Sequence, residues 1–142
     1  MKISEVMTRE VRVANPEETI QEAAGTMAEL DMGFLPVGTD ERLVGTITDR
    51  DIAVRGVAKG RGPNVKVQEV MSTDVKYCFE DEEVDHVLDN MGEIQVRRLP
   101  VVDRNKRLVG VVSLGDLANK SNRTDEALAG ISRRGGKHSQ AA

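Results

Sequence analysis

Apolar positions recur at helical spacing in two stretches of the chain. Ile20, Ala23, Ala24, Met27 and Leu30 mark the first, and Val84, Val87, Leu88, Met91 and Ile94 the second, the pattern of a helix that buries one face. Thr19 with Glu22 three residues later reads as a capping box at the start of the first helix. Ahead of each helix a short run predicts a strand, VRVA at 11–14 and VKYCF at 75–79. Two more strands follow in each case, FLPVG and RLVGTIT in the first set, RLPVVD and RLVGVVS in the second. The polar links Thr39 to Glu41 and Asp103 to Lys106 predict hairpin turns between them. Each set closes on a further helix, from about 49 to 58 and from about 114 to 120.

The order strand, helix, strand, strand, helix therefore occurs twice, and the residues repeat with it. VMTREV at 6–11 matches VMSTDV at 70–75, and LPV at 35–37 recurs at 99–101, both at an offset of 64. LVGTITDRDIA at 43–53 matches LVGVVSLGDLA at 108–118 at an offset of 65. Over these segments 14 of 44 aligned pairs are identical, and most others keep their polarity, which identifies an internal duplication. The expected organisation is a first repeat over 1–58, a linker over 59–66 and a second repeat over 67–120. The remaining 121–142 form a polar, mildly basic tail expected to be largely disordered, with TDEALAGIS as a marginal helix. A half of about 60 residues is small for independent stability, so the halves are expected to share an interface.

Composition narrows the class. A chain of 142 residues with 39% hydrophobic and 31% charged residues suits a soluble globular protein with an aliphatic core, since aromatics are only 2%. The same scarcity argues against stacking platforms for single-stranded nucleic acid. The net charge is −4, and because 121–142 is net positive the body over 1–120 is more acidic still, which disfavours DNA and anionic lipid as partners. The single cysteine, Cys78, excludes an internal disulfide and fits a reducing compartment, and it reads as a buried structural thiol. MKISEVMTRE lacks the apolar run of a signal peptide, and nothing approaches a membrane span, so the expected location is the cytoplasm.

The turn after the last strand of each repeat carries the candidate chemistry. Each has glycine, two residues, Thr or Ser, two residues, then Asp: Gly45, Thr48 and Asp51, and again Gly110, Ser113 and Asp116. One reading is structural, with the hydroxyl capping a free amide and the carboxylate at the positive end of the helix. The other is a ligand grip, in which hydroxyl and amides hold a phosphate and the carboxylate accepts from the two ribose hydroxyls. Both readings use the same residues, and both remain open at this level. Arg50 lies in the first helical turn, where a cation opposes the helix dipole, so an anionic partner is expected for it, either the flanking Asp49 or a ligand phosphate. Arg55 follows on the same helix.

Taken together, VMTREV…LPV…LVGTITDRDI and VMSTDV…VRRLPVVD…LVGVVSLGDL resemble a tandem pair of CBS domains, the cystathionine beta-synthase type repeat, over about 1–120. The resemblance implies an α/β fold of two β-α-β-β-α units packed with pseudo-two-fold symmetry (a Bateman module), in a chain similar to small stand-alone bacterial signal-transduction or stress-response proteins. It implies clefts between the two repeats that bind adenine nucleotides such as AMP, ADP, ATP or NAD, or S-adenosylmethionine, and further association into a homodimer. On the positions that match the family motif, Thr48, Arg50, Asp51, Arg97, Arg98, Ser113 and Asp116 would hold ribose and phosphate. Val11, Met32, Pro36, Val75, Val96 and Pro100 would line the adenine pocket. Arg97 and Arg98 can neutralise a phosphate by bidentate hydrogen bonds, whereas Gly33 and Phe34, their counterparts in the first repeat, cannot. Two inequivalent sites are therefore expected.

Catalysis is not expected. The two histidines, His86 and His138, show no metal-ligand spacing, and no nucleophile sits with a base. The expected role is a non-catalytic regulatory sensor that needs no cofactor, binds an adenine nucleotide and signals to an unidentified effector protein or through its own dimer. The competing reading is a ligand-free structural or interaction module; nucleic-acid binding through the tail is disfavoured.

Overall fold

A computed structural model of the chain describes residues 1–94 and 97–120. Its elements are α1 (Ile20–Leu30), β1 (Phe34–Thr39), β2 (Arg42–Thr48), α2 (Asp49–Asp51), β3 (Cys78–Phe79), α3 (Val84–Ile94), β4 (Arg98–Val102), β5 (Leu108–Ser113) and α4 (Leu114–Ala118). α2 runs on without a break as a π-helical turn, Ile52–Gly56, and a 3-10 turn, Val57–Lys59, so the helical stretch matches the one the sequence predicts. Gly60, at φ +75°, ends it. The expected tail and its marginal helix lie outside the described residues.

The strands pair as their apolar patterns require. β1 and β2 form an antiparallel hairpin, closed at Asp40 and Glu41, both with positive φ, in the manner of a tight two-residue turn whose twist suits the strands. β4 and β5 form the equivalent hairpin, with β3 added parallel to β4. In that turn Asp103 Oδ1 accepts from the backbone N–H groups of Asn105 and Arg107, each at 2.9 Å.

Two sequence expectations need correction in detail. The first strand of the first repeat, VRVA, contracts to a single bridge between Ala14 and Val37. Arg12 and Val13 face solvent, and the chain turns at once through Asn15, whose Oδ1 takes the Glu17 N–H at 2.8 Å. Its counterpart is held for one residue more, where Phe79 packs edge-on against Tyr77 and beneath the Arg104 guanidinium at 4.1 Å. At α1 the Thr19 Oγ1 accepts from the Glu22 N–H, but the Glu22 carboxylate takes the Thr19 hydroxyl instead of its N–H, so the box is half formed.

The chain divides into two compact units, and these are not the two repeats. Among the described residues, one unit is Arg12–Val75; the other joins Met1–Val11 to the chain from Lys76 to Lys120. Each repeat has thus given up its leading segment. In the Arg12–Val75 unit, Val67, Val70 and partly buried Val65 and Met71 pack with Ile20, Ala23, Met27, Leu35, Val37 and Ile47. The Val67 N–H donates to the Glu18 carbonyl at 2.8 Å, and Thr46 and Ser72 exchange both backbone bonds. In the other unit Ile3 and Met7 pack with Val84, Val87, Leu88, Met91, Leu99 and Val112. There the Ile3 N–H donates to the Glu82 carbonyl at 2.9 Å, and Thr8 and Val111 exchange both bonds. The two sets of contacts correspond residue for residue at the repeat offset. The glycine of each LVG explains itself here: a Cβ at Gly45 would lie 2.8 Å from the Ser72 carbonyl oxygen, and one at Gly110 would lie 2.8 Å from that of Thr8.

Cys78 belongs to the core of the second of these units, and burial pushes its thiol up to about 12, with the Glu82 charge adding to the effect. Because the thiolate is the reactive form, iodoacetamide at pH 8 should label the native chain on the order of a hundredfold more slowly than the chain in denaturant. Labelling at equal rates would contradict the burial.

Candidate ligand-binding site

Both candidate turns are built alike. Thr48 and Ser113 end their strands in extended conformation, so each hydroxyl points back over the helix that begins at the next residue. Thr48 Oγ1 accepts from the Asp51 N–H at 3.0 Å, and Asp51 Oδ2 accepts from the Thr48 N–H at 3.0 Å. Ser113 and Asp116 repeat this at 3.0 and 3.2 Å. Each is a closed capping box, so the structural reading of these residues holds in full. It does not use them up, because an ionised carboxylate has about four lone-pair sites and this bond takes one. The Arg55 Nε stands 3.9 Å from Asp51 Oδ1, and its Nη1 donates to the Met71 carbonyl at 3.1 Å.

The residues ahead of LPV are drawn to these turns by the backbone. The Leu114 N–H donates to the Arg97 carbonyl at 2.7 Å, and Arg98 pairs with Ser113 across β4 and β5. Arg97 and Arg98 are half-buried, and their guanidinium groups meet no carboxylate among the described residues. In the first repeat the Asp49 N–H donates to the Gly33 carbonyl at 3.0 Å and Phe34 pairs with Thr48. There the Asp49 carboxylate lies directly over Gly33; a Cβ on that glycine would stand 2.5 Å from Oδ2. The sequence alone did not disclose this contact, which needs the strand and helix aligned to be seen. Arg50 is exposed, and it is its backbone N–H, not its side chain, that meets Asp49 Oδ1, at 2.8 Å.

The apolar candidates sort by unit. Val11 falls with Arg97, Arg98, Pro100, Ser113 and Asp116, although it stands at the head of the first repeat. Val75 falls with Met32, Pro36, Thr48, Arg50 and Asp51. Val11 and Val75 are half-buried and stand outside both core clusters, as does half-buried Met32. Pro36 and Pro100 are buried within their strands. Val96 lies outside the described residues. Among the described residues no group of three or more His, Cys, Asp or Glu side chains could hold a metal ion, and no helix is long and apolar enough to cross a membrane.

The family model described as the CBS domain matches this chain twice, over residues 3–56 and 67–123. The chain belongs to the CBS domain family. It is a tandem CBS pair, and its mixed α/β fold of two CBS domains is that of solved CBS pairs. It is 43% identical to the CBS domain-containing protein YhcV of Bacillus subtilis over 116 residues, 82% of each chain. A crystal structure of hypoxic response protein I with two coordinated zinc ions matches at 36% identity and a TM-score of 0.76, covering 85% of this chain and 99% of that one. The CBS domain pair of protein MJ0100, in complex with 5-methylthioadenosine and S-adenosyl-L-methionine, matches at 30% identity and a TM-score of 0.74, covering 84% of this chain and 94% of that one. Stand-alone CBS proteins are thus among the relatives of this one.

Proposed function

We propose that this CBS pair is a non-catalytic sensor that binds a phosphate-bearing adenine ligand (AMP, ADP, ATP or NAD) at the Ser113–Asp116 turn. One observation carries the reading: two half-buried arginines, Arg97 and Arg98, stand at that turn with no carboxylate opposite them among the described residues. Guanidinium groups in such a place suit a phosphate, which they grip through paired hydrogen bonds. The second oxygen of Asp116 is then available to the ribose hydroxyls, and Val11 in the same unit offers apolar surface to the base. The adenosine compounds bound by the CBS pair of protein MJ0100 carry no phosphate, and they support the adenosine part of this reading. The role is regulatory, in the cytoplasm: bound ligand favours one arrangement of the protein by its differential affinity, and a second copy of the chain or a separate effector reads the result.

A thermal-shift panel of AMP, ADP, ATP and NAD tests this. At 100 times its dissociation constant a ligand adds about 2.7 kcal/mol of stability. At least one nucleotide should raise the melting temperature, and Asp116→Ala should abolish that rise. The variant also loses the carboxylate half of its capping box, about 0.5–1.5 kcal/mol, while the Ser113 hydroxyl still caps the N–H of residue 116, so the quantity to compare is the increment due to ligand. A ligand-free interaction module is favoured by one specific observation, the capping boxes that already engage both aspartates. No response to any nucleotide at millimolar concentration would establish that reading instead.

A further inference from the structure

We infer that Asp49 makes the Thr48–Asp51 turn refuse phosphate, so that one chain holds one phosphate-bearing adenine nucleotide and not two. The inference rests on the proposed reading of the Ser113–Asp116 turn and extends it to what distinguishes the two repeats. The grip residues themselves do not distinguish them, for hydroxyl, carboxylate and capping geometry are the same. The difference lies at two further positions that the fold sets against each other.

In one unit the residue just before β4 is Arg97 and the first helical residue is Leu114, which is buried. In the other the residue just before β1 is Gly33 and the first helical residue is Asp49. The polarity is reversed: a cation at the strand's entrance in one case, an anion on the helix in the other. In this pose the two positions compete for space, because a Cβ at position 33 would stand 2.5 Å from Asp49 Oδ2 and would have to displace that carboxylate. An arginine at position 33 and an aspartate at position 49 in this pose exclude one another. A phosphate arriving at the Thr48 hydroxyl meets the Asp49 charge with no guanidinium at position 33 to offset it, and like charges at close range weaken binding. Asp49 and Arg50 are both exposed, the Arg50 guanidinium forms no ion pair with Asp49 among the described residues, and Arg55 is already engaged with Asp51 and Met71.

Isothermal titration of the full chain with the nucleotide that gives the largest thermal shift provides the test. The wild-type chain should bind one equivalent, and Asp116→Ala should remove it while Asp51→Ala leaves it. Asp49→Asn keeps the acceptor for the Arg50 N–H but drops the charge, and Asp49→Ala clears the space as well. Both should reveal a second equivalent, with at least about a tenfold gain in affinity at that turn. Two equivalents in the wild type, or one that Asp51→Ala removes, would overturn the inference while leaving adenine binding intact. A single equivalent that neither Asp49 variant changes would overturn it too. No binding by the wild type would defeat the proposed function, and this inference with it.

Discussion

A chain that lacks Met1–Thr8 should lose the fold of the unit that begins at Lys76, far from the cut in sequence. Ile3 is fully buried and Met7 is 9% exposed, and both sit in the cluster formed by α3, β4, β5 and α4. Removing such side chains costs about 2–5 kcal/mol each when cut to alanine. The deletion also strips the N–H donors of Ile3 and Ser4 from the Glu82 and Glu80 carbonyls, and the acceptor at Met1 from the Val84 N–H. A unit of this size has roughly 3–8 kcal/mol of stability in all, so the loss exceeds what it can absorb. Hydrogen exchange on the deleted chain should show protection gone over 84–91 and 99–102, with a far smaller change over 20–30 and 35–37. Ile3→Ala in the full chain, a gentler perturbation, should destabilise the same segments by about 2–5 kcal/mol. Unchanged protection over 84–91 would place Ile3 and Met7 outside that core.

Gly110→Val should cost nearly as much through a single position. Its Cβ would lie 2.8 Å from the Thr8 carbonyl oxygen and 2.8 Å from the Met7 Sδ. A methionine end can swing aside, but the carbonyl cannot, since it accepts the Val111 N–H at 3.0 Å while the Thr8 N–H donates back at 2.9 Å. Overpacking of this kind costs about 1–3 kcal/mol, and breaking the two backbone bonds adds about 1 kcal/mol each. The expected loss in urea unfolding is therefore about 3–5 kcal/mol. Gly25→Ala supplies the contrast: no atom lies within 4 Å of its Cβ, and it is interior to α1, so alanine there should stabilise by about 0.5–1 kcal/mol. A Gly110→Val chain as stable as the wild type would mean that the Thr8 segment does not lie along β5.

Much of this architecture was legible in the residues. The stripes Ile20–Leu30 and Val84–Ile94 named both long helices, and the LPV and LVG runs named both hairpins, because local spacing alone fixes which face of each element is apolar. The capping roles of Thr48, Asp51, Ser113 and Asp116 were equally plain, since a cap involves only neighbours in sequence. What the residues did not reveal was partnership at long range. Ile3 and Met7 carry the same pattern as Val67 and Met71, so either segment suits either repeat chemically, and only the fold decides between them. For the same reason Val11 could be read as an apolar residue at the head of a strand but not assigned to the unit of Ser113. The opposition of Asp49 to Gly33 was hidden too, because the two are sixteen positions apart and touch only once β1, β2 and α2 are aligned.

The traded leading segments bear on how such a gene can be cut and joined. Half of the coding sequence, ending near position 58, would specify a polypeptide missing Val67 and Val70 from its own interior and carrying Ile3 and Met7 meant for a different one. Two such half-length molecules could satisfy each other only by lending their first residues reciprocally. Fusion of the halves would then have turned a bargain between two molecules into a tie within one.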